Sequence, residues 1–267
     1  MLPGATATSE PAVRSAARVD SISERWFYAR MAYACAAIAL VGFTPTYWAP
    51  LATGRFPGPA LLHFHGWLST AWMLLFILQA RAAAAYRFDR HRALGLAGIS
   101  VATAVFLTGF MVAVHAINRG AAAGLGVEAQ AFAIVPLSII VMFAAAVGAA
   151  IATVRRSDVH MRLMLVATIT MLPPAIARVL LLLVAGRSGV NPTEGGFPTV
   201  GFALVPSIAS DLLLAVAMVH DWRLRGRPHP VYVIAGSVML AVQIGRIPLS
   251  ATGVWHAFTT WLVGFAG

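Results

Sequence analysis

The chain has 267 residues, 60% of them apolar and only 10% charged, with a formal net charge of +10. Soluble domains carry roughly 25% charged residues, so these few cannot coat a water-soluble globule, though they suffice where lipid is the main solvent. All nineteen basic residues are arginine, which excludes a retinal Schiff base for want of a lysine amine. The single cysteine, Cys35, excludes an internal disulfide, a thiolate zinc site and a cysteine-held iron–sulfur cluster.

Residues 1–25 are small and polar, with Pro3, Pro11, Arg14, Arg18 and Arg25. They lack the apolar core of a signal peptide and read as a disordered cytoplasmic tail. A run of roughly 20 apolar residues crosses the hydrocarbon layer. Seven stretches reach that length, at about 26–48, 61–82, 93–117, 130–154, 160–185, 199–220 and 230–252. The expected fold is therefore all-α: a polytopic transmembrane helix bundle of seven spans over residues 26–252. Pro248 and Gly253 argue against one straight helix at the end, so residues 253–267, with Trp255 and Trp261, read as an interfacial end-piece. Small-residue seams are expected at Gly98 with Ala102 and at Ala144 with Gly148. Prolines 45, 136, 173, 174, 206 and 248 are expected to kink spans or mark their ends. Gly189–Gly196 reads as a short polar outer turn.

The arginines set the threading. Fourteen of the nineteen fall on one side: Arg14, Arg18, Arg25, Arg30, Arg81, Arg87, Arg90, Arg92, Arg155, Arg156, Arg162, Arg223, Arg225 and Arg227. The alternating loops hold only Arg55, Arg119 and Arg187. The rich side is expected to be cytoplasmic, giving an N-in, C-out topology. The same distribution points the positive charge at anionic headgroups rather than at nucleic acid.

Two cytoplasmic loops share a short pattern. Arg87-Phe88-Asp89-Arg90-His91-Arg92 opens the third span, and Arg155 to Arg162, containing Asp158-Val159-His160, opens the fifth. Asp221 and His229 echo it at looser spacing. The inner histidines His91 and His160 could meet as axial ligands, with Asp89 and Asp158 holding the rings. Alternatively, the two aspartates are helix N-caps beside positive-inside arginines.

Within the spans Arg178, Asp211 and Arg246 stand out, because buried ionisable groups need partners. They read either as a structural ion pair joining the last three spans or as a positively biased site. Such a site would suit an anionic ligand, a haem propionate or a quinone headgroup. The outer histidines His63, His65 and His115 are candidate metal or haem ligands. His63 and His65 point about 200° apart on a helix, so one partner can face only one of them. An alternative makes each a hydrogen-bonded polar tip near the headgroups. No phosphate loop, nucleophile elbow or His-Glu-x-x-His motif is present.

His63-Phe64-His65-Gly66-Trp67, then Gln79, His91-Arg92 with Gly95, and His160-Met161-Arg162 with Arg178, resemble the pattern of an uncharacterised family of bacterial polytopic membrane proteins. The resemblance covers spans two to five and implies a multi-pass protein of the bacterial cytoplasmic membrane. In carrying histidines at both faces the chain is also similar in outline to b-type membrane cytochromes, which implies haem b as a cofactor. Those proteins often place two histidines on one helix about 13–14 residues apart. Here His91 and His115 are 24 apart, roughly 36 Å along a helix axis. The reading is of a histidine-rich redox protein binding haem or a transition metal. Its alternatives are a small-solute or ion carrier using Asp211, Arg178 and Arg246, and an accessory subunit bound to other membrane subunits. A reporter fused after Gly267 is expected to be active only outside the cytoplasm, and one inserted at Ala85 only inside; the opposite pattern would invert the threading.

Overall fold

The computed structural model describes the backbone of residues 10–184 and 198–266, and side chains over 24–183 and 198–264. Residues 1–9, Arg187 and the Gly189–Gly196 turn lie outside the described residues. The helices are α1 (Glu10–Phe43), α2 (Ala49–Ala52), α3 (Ala60–Ala84), α4 (Phe88–Ala122), α5 (Gly126–Phe132) and α6 (Ile134–Ala152). They continue as α7 (Ser157–Thr170), α8 (Pro173–Val184), α9 (Leu204–Arg225), α10 (Pro230–Ser250) and α11 (Gly253–Ala266). No strand occurs among the described residues.

Seven segments are long and apolar enough to cross a membrane: Glu24–Ala52, Ala60–Ala84, Phe88–Ala122, Gly126–Ala152, Ser157–Leu183, Leu204–Arg225 and Pro230–Ser250. These match the seven expected spans, and the protein is a multi-pass helical membrane protein in contact with the bilayer. Leu40, Val41, Leu74, Leu96, Leu107, Val141, Leu212 and Ile234 point outward and exposed. In water such a surface would aggregate. In lipid it is the ordinary solvent-facing side.

Prolines set the interruptions. Pro45 lies in a π-helical turn, Thr44–Trp48, that joins α1 to α2. The fifth span breaks at Met171 and Leu172, and Pro173 starts α8, where its missing N–H leaves no helical bond unmade. Pro248 is absorbed in the last turn of α10. The chain then breaks at Ala251 and Thr252, so the end-piece from residue 253 is a separate helix, α11, held to the start of the fourth span. There Trp255 Nε1 donates to the Gln130 carbonyl at 2.7 Å. The segment 1–25, expected as a disordered tail, is helical from Glu10 onward. Pro11 falls in the first turn, and residues 12–25 contain neither proline nor glycine to stop a helix.

Helix α7 is the central post, packed by α1, α6, α9 and α10. Val159, Arg162, Leu165, Val166, Ala167, Thr168, Ile169 and Thr170 are all buried on it. Around it the core gathers Phe27 and Cys35 of α1, Trp72 and Phe76 of α3, Val105 of α4, Phe143 of α6, Leu214 of α9 and Tyr232 of α10. The close helix contacts are not at the expected seams. A Cβ at Gly98 or Gly148 would meet nothing within 4 Å, and Gly148 is exposed. Of these small residues Gly148 faces outward, whereas Ala102 is buried in the core without a close crossing at Gly98. The tight crossings are at Gly42, whose added Cβ would strike the backbone of Ala175 on α8, and at Gly109, where it would strike Ile140 on α6. Gly42→Ala is therefore expected to destabilise the protein by about 1–3 kcal/mol through overpacking. Gly148→Ala should leave it unchanged, as read by thermal unfolding in detergent; equal melting of the two would refute the assignment.

Candidate functional site

The arginine-rich end of the bundle is organised by one buried cation. Arg162, fully buried on α7, donates Nε to Asp221 Oδ2 at 2.9 Å and Nη2 to Asp221 Oδ1 at 2.8 Å. Its Nη2 also reaches Glu24 Oε1 at 2.9 Å, and Nη1 donates to the Asp158 carbonyl at 2.7 Å. The guanidinium lies 5.8 Å from the Tyr232 ring, whose hydroxyl sits 2.9 Å from that of Tyr28. Arg225 approaches Glu24 Oε1 from the rim at 2.6 Å. The group balances its charge, two arginines against two carboxylates, and ties α1, α7, α9 and α10 together. An arginine stays protonated in a protein interior, so burial demands this full set of acceptors.

Next to it His229 caps α10. Its Nδ1 accepts from Val231 N at 3.2 Å, so the proton sits on Nε2, which donates to Asp158 Oδ2 at 3.3 Å. Burial and the Arg162 charge push the His229 pKa below its ordinary value, against the pull of Asp158.

The same end brings His91 and His160 together. Their rings stand edge to face with centroids 6.2 Å apart. His91 Nδ1 lies 3.3 Å from the Gln79 carbonyl at the end of α3. His160 Nδ1 lies 2.8 Å from the Ala150 carbonyl at the end of α6. A carbonyl only accepts, so each Nδ1 carries the proton and each Nε2 keeps its lone pair. The repeated sequence pattern thus becomes a repeated device, in which a histidine in the first turn of one helix is fixed by the last turns of the helix before it. Asp89 and Asp158 hold neither ring. Nor do they cap: the N-cap positions are Arg87 and Arg156, and neither makes a side-chain cap bond. The aspartates sit two residues past the N-cap, in the first turn, where they oppose the positive end of the helix dipole.

At the opposite end the expected groupings come apart. His63 Nδ1 lies 3.3 Å from the Tyr47 hydroxyl, whereas His65 Nδ1 meets Thr108 Oγ1 at 2.9 Å and Nε2 faces Ser69 at 3.5 Å. The two turn to different neighbours, as their i, i+2 spacing requires. His115 lies seven residues beyond Thr108 on α4, about 10 Å further along the axis. The set His63, His65 and His115 does not converge. Among the described residues no group of three or more His, Cys, Asp or Glu could hold a metal ion. His256 pairs with Gln130 Oε1 at 3.1 Å.

The expected Asp211, Arg178 and Arg246 grouping is also corrected. Arg178 turns away to α1, donating to Thr46 Oγ1 at 3.1 Å and to the Pro174 carbonyl at 2.7 Å, with its guanidinium 4.4 Å over Phe43. Arg246 donates to Ser207 Oγ and the Ala203 carbonyl, both at 2.8 Å. Asp211 accepts from Gln243 Nε2 at 3.3 Å. No ion pair links Asp211 to either arginine. Helix azimuth decides this, since Arg178 on α8 faces α1 rather than the α9–α10 groove.

The fold and these clusters define a seven-span helical membrane protein with a charge-locked, histidine-bearing end. No family model matches the chain, and no curated protein or solved structure is significantly similar to it.

The Arg162, Glu24 and Asp221 lock was not foreseen, because a loop arginine reads as a topology anchor. A signal was present. Asp221 continues the buried stripe Ser207, Ser210, Leu214 and Ala217, and Arg162 opens the stripe Leu165, Ile169 and Leu172, both at helical spacing. Asp221→Ala is expected to cost about 3–5 kcal/mol by stranding a buried cation. Arg225→Ala, at the exposed rim, should cost under about 1 kcal/mol. Thermal unfolding in detergent separates the two, and a harmless Asp221→Ala would show the lock to be dispensable.

Proposed function

We propose that this protein is a membrane redox protein of the bacterial cytoplasmic membrane, with its N-terminus inside, that binds haem b or a single transition-metal ion through His91 and His160. The observation that carries the reading is the facing pair of imidazoles, each tethered through Nδ1 to a backbone carbonyl. That tether fixes the tautomer and aims the Nε2 lone pair, which is how ligating histidines are commonly oriented. Two metal–nitrogen bonds of about 2.0–2.1 Å, plus the depth of each ring, separate ring centres by roughly 5–6.5 Å according to the angle at the metal. The centroid separation of 6.2 Å matches that spacing. The pair bridges two helix hairpins, α3–α4 and α6–α7, so a shared metal would cross-link them.

The outer histidines take no part in this reading, since His63 and His65 have settled on separate partners and His115 does not converge with them. The carrier reading loses its three-residue pathway because Arg178 faces α1.

Purified protein is expected to show a Soret band, or stoichiometric copper, zinc or iron on elemental analysis. Either signal should vanish in both His91→Ala and His160→Ala and persist in His65→Ala. A folded, colourless, metal-free protein, or a signal indifferent to both inner substitutions, would end the proposal.

A further inference from the structure

The outer half of α9 and α10 holds three polar atoms without partners at one place. Arg246 is 2% exposed, and its Nη2 is taken up by Ser207 and Ala203. Its Nε and Nη1 are buried with no acceptor. Gln243, one turn earlier on the same face and also 2% exposed, spends Nε2 on Asp211, and its Oε1 is buried with no donor. Leaving such groups unmet in a low-dielectric interior is costly, more so for a cation.

Charge alone does not account for these unmet groups. Asp211, held by Gln243, already places a carboxylate in the same cluster as Arg246. What remains unmet is two donor groups and one acceptor. A neutral ligand offering oxygen acceptors and a hydroxyl satisfies all three, whereas a carboxylate or halide would face the Gln243 oxygen with no proton to give.

The cluster has an open edge towards lipid. Asp211 is only half-buried, Ile208, Leu212 and Ile244 beside it are exposed, and a Cβ at Gly245 would meet nothing within 4 Å. The exposed edge is apolar, so a lipid-soluble ligand meets the cluster directly.

We infer that Arg246, Gln243 and Asp211 form a binding site for a lipid-borne quinone–quinol headgroup. A ring carbonyl accepts from Arg246, and in the quinol a hydroxyl donates to Gln243 Oε1. Flanking Ile208, Leu212 and Ile244 offer an apolar rest for the ring or its tail. The inference stands apart from the histidine site, because it needs neither His91 nor His160.

Isothermal titration of the detergent-solubilised full chain with a decyl-substituted benzoquinone and its quinol tests it. Saturable one-to-one binding of the quinol is expected, weakened at least tenfold in Gln243→Leu and in Arg246→Gln, and unchanged in Arg225→Gln. Retained affinity in Gln243→Leu overturns the assignment, and this holds even if Arg246→Gln does not fold. No saturable binding to the folded wild type, or tighter binding of benzoate than of the quinol, overturns it as well.

Discussion

A guanidinium buried where water cannot reach it constrains the whole bundle. Arg162 cannot shed its proton, so the protein must bring acceptors to it, and it does so from four directions: Asp221, Glu24, the Asp158 carbonyl and the Tyr232 ring face. Those groups belong to three other spans besides its own. Apolar contacts discriminate weakly among helices in a membrane, because lipid tails are as apolar as leucine. A two-toothed contact between Arg162 and Asp221 is far more selective, since a wrong neighbour leaves a charge stranded. The lock therefore fixes which helices surround α7 and at what depth they stop.

That registration has consequences for the histidines. His160 stands two residues before Arg162, in the first turns of the same helix, so anchoring α7 in depth also sets the level of this ring. His91 arrives at the same level by an equivalent route, tied to the end of α3 as His160 is tied to the end of α6. The device costs no side-chain partner, since both tethers are backbone carbonyls in the last turns of a helix. Each Nε2 is consequently free for another task. The outer histidines differ in kind: His63 leans on Tyr47, and His65 is engaged at both nitrogens by hydroxyls of Thr108 and Ser69.

The two ends of the bundle thus keep polar atoms for different reasons. At the arginine-rich end the hydrogen-bonding capacity of Arg162 and its carboxylates is spent on structure. Near the other end Arg246 and Gln243 retain unspent capacity beside a half-buried aspartate. Native interiors rarely leave such groups unmet, which makes these positions informative even where no motif marks them.

How much of this could be read from the chain follows from the physics of each feature. Hydrocarbon thickness and the need of every backbone amide to find a partner within its own segment make a long apolar run sufficient evidence for a spanning helix. The seven spans, the break near Pro248 and Gly253, and the divergence of His63 from His65 are local properties, and the sequence alone determined them. Which ionisable side chains meet is not local. Arg178 and Asp211 were plausible partners by depth, yet the azimuth of α8 sends Arg178 to Thr46. Arg162 passed for a loop anchor until α7 proved to be the central post. His91 and His160 could be placed at one level from the sequence, but only the packing of two hairpins set their rings edge to face. Rotation about a helix axis and choice of neighbour come from the sum of many weak contacts and a few strong ones, and that sum exists only in the folded bundle.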